Sequence, residues 1–399
     1  MALWQAATPP DRGVHVLIVG VGKYENDRQD YLSGAVRSAV RAASWWAKAG
    51  DKLLDGRELA SVQVLISGPE DLMVFMPDGS TPKPRLPTRE TVVDAFDRWL
   101  GLTEAGNDDL AVLHWIGHGA SPGQSGFSKS HALYCYDLDP VTGDTAAINW
   151  LPTLNVIDEK LKGRAMCFID ACRSPYPAVP WPRWKGVWEY PFEGTLPQAY
   201  VYYGADENRP AYAVDAADPG KAEPPESRKQ MRGRFNGGAV FTEAMLCALD
   251  GLGAIRRDPD IGYAVYEDQI FDILDHKIRQ WKSCHQGDLG NKAINPRNDA
   301  PVIWRDRALL KAPSPSASIK LSLPSANTAA HFRFQLEVDS MPQEKPCACD
   351  GCWHIDVDYG ERQVVARGRH HAIKGDRIFK RSFYADCLNL EVTLQGDAT

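Results

Sequence analysis

Apolar residues in this chain gather into short unbroken runs, with amphipathic stretches between them. The clearest runs extend from His15 to Val21, from Asp109 to Ile116 and from Ala165 to Ile169. Runs of this length, rich in Val, Ile and Leu, suit strands covered on both faces, as in a parallel sheet. Val62 to Ile66 and Ala199 to Tyr203 are two further strand candidates. Between them, Ala35 to Ala49 and Thr88 to Leu100 place apolar residues at helical spacing, and Thr88 stands where an N-cap belongs. Strand alternating with helix predicts an α/β fold, a mostly parallel sheet between helices joined by right-handed crossovers.

The pattern changes twice further on. Residues 218–236 are polar, rich in Pro, Gly and charge, and read as an exposed loop. Helical spacing returns from Phe241 to Leu249 and from Tyr266 to Trp281. Residues 312–318, Ala-Pro-Ser-Pro-Ser-Ala-Ser, read as a linker. Beyond them, Phe332 to Val338 and His354 to Tyr359 alternate apolar and polar with period two, the pattern of a small antiparallel β domain. The division expected is residues 1–311 for the α/β domain and 319–399 for the β-rich one.

Composition narrows the function classes. The chain has 399 residues, enough for one large and one small domain, and 44% of them are hydrophobic, enough for a sizeable core. A formal charge of −7 without a long Lys/Arg run argues against nucleic acid as a partner. The 12 tryptophans read first as large buried aromatics. No apolar stretch approaches the roughly 20 residues that span a bilayer, so no membrane partner is expected. The first residues lack a basic segment followed by an apolar one, and nine cysteines, several set singly in apolar runs, do not form a disulfide scaffold. A cytoplasmic protein with reduced thiols is the expectation.

Two strand ends carry the chemistry. The Asp109 run passes into Gly117-His118-Gly119, and the Ala165 run into Asp170-Ala171-Cys172-Arg173-Ser174. Functional groups collect at the carboxyl ends of strands in open α/β sheets, so adjacent strands would bring His118 and Cys172 together. The His precedes the Cys by about fifty residues, the order and spacing of caspases. A thiolate is a strong nucleophile, and an imidazole beside it takes its proton and returns it to the leaving amine. The amides of Gly119 and Cys172 are candidates to hold a developing oxyanion.

These residues resemble the caspase and metacaspase superfamily, in the manner of prokaryotic caspase-like proteins. Leu17 to Tyr24 followed by Leu32-Ser33-Gly34-Ala35 is similar to the opening of such domains. Trp115-Ile116-Gly117-His118-Gly119 is similar to their catalytic-His motif, Phe168 to Ser174 to their catalytic-Cys motif, and Gly238-Ala239-Val240-Phe241-Thr242 to the later segment that precedes a helix. The resemblance covers residues 14 to about 250. It implies the caspase–haemoglobinase fold and a cysteine endopeptidase working through an acyl-enzyme on a protein substrate. It also implies no cofactor, a zymogen form, and a role as a regulated effector in stress, death or defence. Asp170, two before the Cys, occupies the place where metacaspase-like members carry an acid that favours Arg or Lys.

The chain departs from that pattern in places. Ser38 stands where a second acid is expected, and Ile116 replaces a small polar residue. Asp206 and Glu207, after the fifth strand, are the alternative acids for substrate binding. The basic loop at 218–236 is a candidate processing site beside its plainer reading as solvated surface. Cys347, Cys349, Cys352 and His354 form an allowed tetrahedral zinc set, with free thiols in a turn or a disulfide as the other readings. His114 is expected in the core, and His131 has no expected role. The C-terminal domain suits an activator or inhibitor protein as partner. The rival to the enzyme is a catalytically silent caspase-like scaffold acting through that domain.

Overall fold

The computed structural model describes residues 2–26, 31–54, 56–104, 108–121, 131–138, 146–161, 164–174, 199–206, 209–211, 213–214, 238–251, 254, 260–261, 264–267, 270–284, 296–299, 308–311, 316–322, 332–338, 341–342, 347–349, 352–358, 360–370, 376–385, 390–393 and 395–396. The chain forms two compact units. The first comprises Met1–Ala222, Phe235–Cys247 and Glu267–Leu309, and the second Glu223–Arg234, Ala248–Tyr266 and Leu310–Thr399.

The first unit is built on strands β1 (Ala2–Gln5), β2 (Gly13–Val21), β3 (Glu58–Ser67) and β4 (Leu110–Ile116). Short strands β5 (Gly119–Ala120), β6 (Ala132–Tyr134) and β7 (Ala147–Asn149) follow, then β8 (Arg164–Asp170) and β9 (Tyr200–Tyr203). After them come β10 (Ala213–Val214), β11 (Gly238–Ala239), β12 (Ala264–Tyr266) and β13 (Arg297–Asp299), of which β12 belongs to the second unit. The helices are α1 (Ser33–Ala47), α2 (Arg89–Glu104), α3 (Trp150–Lys160), α4 (Val240–Leu249) and α5 (Ile270–Cys284). Seven strands form one sheet in the order β1-β3-β2-β4-β8-β9-β13. Its five inner strands run parallel, and the edges β1 and β13 run antiparallel to their neighbours.

The expected runs are these inner strands. β2, β4 and β8 are buried along their whole length, which is why they show no alternation. Thr88 caps α2, its hydroxyl accepting the Thr91 amide at 3.2 Å. α1 lies close on β2, for a Cβ on Gly20 would come within 2.5 Å of the Ala39 methyl, and glycine there sets the helix-to-sheet spacing. Trp46, Trp99, Trp115 and Trp150 are fully buried, each contributing roughly 2–3 kcal/mol of apolar burial. His114 is a core residue as expected. Its Nε2 accepts the Trp46 indole N–H at 2.7 Å, and its ring stacks on Phe168 with centroids 4.9 Å apart.

In the second unit, β15 (Ser316–Ser322), β18 (Cys347–Cys349), β19 (Cys352–Asp358) and β22 (Leu390–Thr393) form a sheet in the order β18-β19-β15-β22. β16 (Phe332–Val338), β17 (Met341–Pro342), β20 (Gly360–His370), β21 (Asp376–Ala385) and β23 (Gln395–Gly396) form another, in the order β17-β16-β20-β21-β23. The remaining strand is β14 (Ala308–Lys311). Within these two sheets pairing is antiparallel except between β15 and β22, which are parallel; period-two alternation reports a half-buried strand but not the direction of its neighbour. The β18–β19 ladder sets Cys347 opposite His354 and Cys349 opposite Cys352.

Candidate active site

β4 and β8 are adjacent and parallel, with Ile116 opposite Asp170 at their carboxyl ends. His118 and Cys172 each follow two residues later, so the sheet delivers both to one place. They line a cleft of about 330 Å³ together with Leu32, Ala35, Ile116, Gly117, Asp170, Ala211 and Ala239. Leu32 and Ala35 come from the start of α1, Ala239 from β11, and Ala211 from the segment after β9.

His118 is held from behind. Its backbone N–H donates to the Tyr24 hydroxyl at 2.9 Å, and the two rings lie 5.4 Å apart. Its carbonyl accepts the Tyr134 amide at 3.1 Å. That bond makes Gly119 and Leu133 a non-hydrogen-bonded pair of the β5–β6 ladder, so the ladder leaves the Gly119 amide unused. A Cβ on Gly119 would lie 2.8 Å from the Ala132 carbonyl, 2.9 Å from the Cys172 carbonyl and 2.9 Å from His131 Nε2. Only glycine fits.

Cys172 is half-buried, and its sulfur is bracketed by one residue. The Ala211 N–H donates to Sγ at 3.3 Å, and the thiol donates to the Ala211 carbonyl at 3.5 Å. The neighbouring Arg173 amide donates to the Arg209 carbonyl at 2.9 Å. Burial pushes the thiol above its ordinary range. The Ala211 amide partly offsets this, and the Asp170 charge reinforces it. Arg173 is itself buried, its guanidinium 4.5 Å from the centre of the Tyr203 ring.

Asp170 has one oxygen engaged twice: Oδ2 accepts the Thr242 amide at 2.9 Å and the Thr242 hydroxyl at 2.7 Å. Burial outweighs these bonds and, with Glu243 nearby, raises the carboxyl to about 6. Glu243 is a buried acid that no sequence pattern marked. Its Oε1 accepts the Ser38 hydroxyl at 2.6 Å and its Oε2 pairs with Arg41; Ser38 Oγ also accepts the Ala239 amide at 2.9 Å. Burial raises Glu243 as well. The position that lacks a second acid is thus a serine bonded to a glutamate from α4.

The other expected substrate-binding residues are placed differently. Ser38 is fully buried beneath the cleft and does not line it. Asp206 is half-buried and pairs with Arg297 at 3.8 Å. Glu207 and the loop at 218–236 lie outside the described residues. Among the described residues no group of metal-ligating side chains is assembled, and no helix is long and apolar enough to cross a membrane. His131, to which no role was attached, has Nε2 2.9 Å from the Cys172 carbonyl.

No protein-family model matches the chain, and no curated protein matches it. Among solved structures, the chain is similar to the crystal structure of caspase-1 from Spodoptera frugiperda. The identity is 10%, the TM-score is 0.41, and the match covers 76% of this chain and 91% of that one. It is similar also to the structure titled pro-sf-caspase-1, at 10% identity and a TM-score of 0.38, covering 76% of this chain and 96% of that one.

Proposed function

We propose that this protein is a cysteine endopeptidase in which Cys172 is the nucleophile and His118 its acid–base partner. The observation that supports the reading is the shared cleft. It gathers a thiol, an imidazole and a buried carboxylate at the carboxyl ends of two adjacent strands, and the Gly119 amide that the β5–β6 ladder leaves unused follows His118 directly.

His118 takes the Cys172 S–H proton as sulfur attacks the scissile carbonyl carbon. The carbonyl π pair moves onto oxygen, where the Gly119 and Cys172 amides hold it. Collapse of the adduct breaks the C–N bond, and His118 returns the proton to the departing amine. Water then attacks the thioester, His118 receives its proton, and loss of the carboxylic acid restores the Cys172 thiol. No metal or cofactor enters these steps. Asp170 lies at the cleft with an acid raised to about 6, so it is largely ionised at neutral pH and favours Arg or Lys before the cut bond. The Ala211 bracket belongs to a resting state, and a bound peptide displaces it from the sulfur.

The test is digestion of a mixed peptide library by wild type and Cys172→Ala, read by mass spectrometry. Cuts after Arg or Lys that vanish in the variant are expected. Cuts that persist in the variant, or no cuts from wild type after proteolytic activation, would sink the enzyme. Cuts after other residues would keep Cys172 and discard the role of Asp170.

A further inference from the structure

We infer that His131 is a positioning residue of this site, the strut that sets the spacing between the two amides of the oxyanion hole. The inference rests on the peptidase reading and adds to it a histidine outside the His118/Cys172 pair.

His131 is fully buried. Its Nε2 lies 2.9 Å from the Cys172 carbonyl oxygen, which can only accept, so Nε2 carries the proton. The opposite nitrogen, Nδ1, is buried and has no hydrogen-bond partner among the described residues. Ionising the ring would place a cation in a dry site beside Arg173, and burial together with that guanidinium keeps the imidazole neutral. One tautomer is therefore fixed, with one donor aimed at one acceptor.

The backbone of His131 is anchored at both ends of this job. Its carbonyl accepts the Trp150 amide at 2.7 Å, tying it to the start of α3. Its successor Ala132 begins β6, the strand paired to Gly119–Ala120. Across the site the imidazole grips the turn that carries Cys172. Gly119 sits directly on that grip: a Cβ there would touch both Nε2 of His131 and the carbonyl of Cys172, each at 2.9 Å. The hydrogen bond is therefore the floor on which the Gly119 backbone rests. It joins the start of β6, the ladder partner of the strand bearing one oxyanion donor, to the residue bearing the other. A polar bond in this place fixes direction as well as distance, which apolar packing would not do. Misplacement of catalytic groups by about 1 Å costs on the order of 10²-fold in rate.

The test pairs His131→Leu, which removes the donor, with His131→Gln, whose amide nitrogen can reach the place of Nε2. Each is compared with wild type in peptide turnover and in alkylation of Cys172 by iodoacetamide. His131→Leu is expected to lower kcat about 10²-fold with KM within about twofold. Alkylation, which builds no oxyanion, should stay within about twofold, and His131→Gln should recover most of kcat. Equal loss in both variants together with altered alkylation would reduce His131 to packing, and wild-type kcat in His131→Leu would end the proposal. A third readout does not depend on turnover: nitrogen-15 NMR of the wild-type imidazole and of the Gly119 and Cys172 amides. The Nε2–H tautomer between pH 5 and 8, with both amide signals displaced in His131→Leu, is expected. The other tautomer, or unmoved amides, overturns the inference. If wild type cleaves nothing, the enzyme reading fails by itself and the NMR result alone decides on His131.

Discussion

The two ends of the parallel sheet make an instructive pair, because each holds a histidine beside a potential nucleophile. At the amino end, the Ser61 hydroxyl lies 2.9 Å from His15 Nδ1, and His15 Nε2 lies 3.3 Å from the Asp109 carboxylate. Asp109 in turn accepts the Gly13 amide at 2.6 Å, and Trp99 donates to the His15 carbonyl at 3.0 Å. Serine, histidine and aspartate thus stand in the order of a hydrolase triad. Yet Ser61 has no exposed surface, and His15 and Asp109 are only 6% exposed. Every polar atom in that string is spent on a neighbour. At the carboxyl end the sheet leaves the Gly119 amide unused, and Cys172 and His118 are half-exposed in a cleft. Hydrogen-bond order alone does not make an active site. On the peptidase reading, access and an uncommitted amide set the carboxyl end apart.

The sharpest way to break this comparison is to delete both nucleophiles. Cys172→Ala is expected to lower peptide turnover by about 10⁴-fold or more, whereas Ser61→Ala leaves it within about twofold; a loss from Ser61→Ala would mean that the amino end takes part. Next in size is Gly119→Ala, whose methyl pushes the carbonyls of Ala132 and Cys172 apart. A kcat loss of about 10²–10³-fold with folding retained is expected, checked by turnover and circular dichroism.

Asp170→Asn comes third. It should lower kcat/KM for Arg and Lys substrates about 10–10²-fold while leaving neutral ones within a few-fold. In wild type, kcat/KM for basic substrates should rise as pH passes about 6, where Asp170 ionises, and that step should vanish in the variant. Stability moves the other way. A carboxyl raised in the folded state keeps a proton that the unfolded chain releases near pH 4, so its contribution is full below pH 4 and lost as pH rises through about 6. Urea unfolding across that window should show wild type declining relative to Asp170→Asn.

The smallest effect belongs to the sealed end. Asp109→Asn should cost about 1–2 kcal/mol of stability by weakening the His15 and Gly13 contacts, with turnover unchanged. Burial, despite Asp109, holds His15 below its ordinary range, so its folded form stays neutral and stability falls as pH drops through the ordinary imidazole range.

Much of the α/β framework was legible in the sequence because burial on both faces removes alternation. The runs at β2, β4 and β8 declared themselves, and Thr88 marked the start of α2. The antiparallel edge β1 did not, since four residues give too short a pattern. The His118 and Cys172 pair was legible through strand ends and order. Glu243, Ala211 and His131 were not, for a physical reason. Each acts through contacts with residues about 40 or about 200 positions away, and such contacts leave no periodic trace. Glu243 offered one weak signal, an acid in the first turn of an apolar helix, which reads equally as a partner of the helix dipole.

The bracket around Cys172 has one more consequence. Both groups that Ala211 presents to the sulfur are main-chain atoms, so exchanging its side chain leaves them in place, and only proline would delete the N–H. Cysteines that sense peroxide are exposed and carry a depressed pKa. Cys172 at rest is shielded and protonated, with its pKa pushed up. On the peptidase reading, the thiol is thereby kept off the path to sulfenic acid until a peptide opens the bracket, and its chemical durability is written into a stretch of backbone.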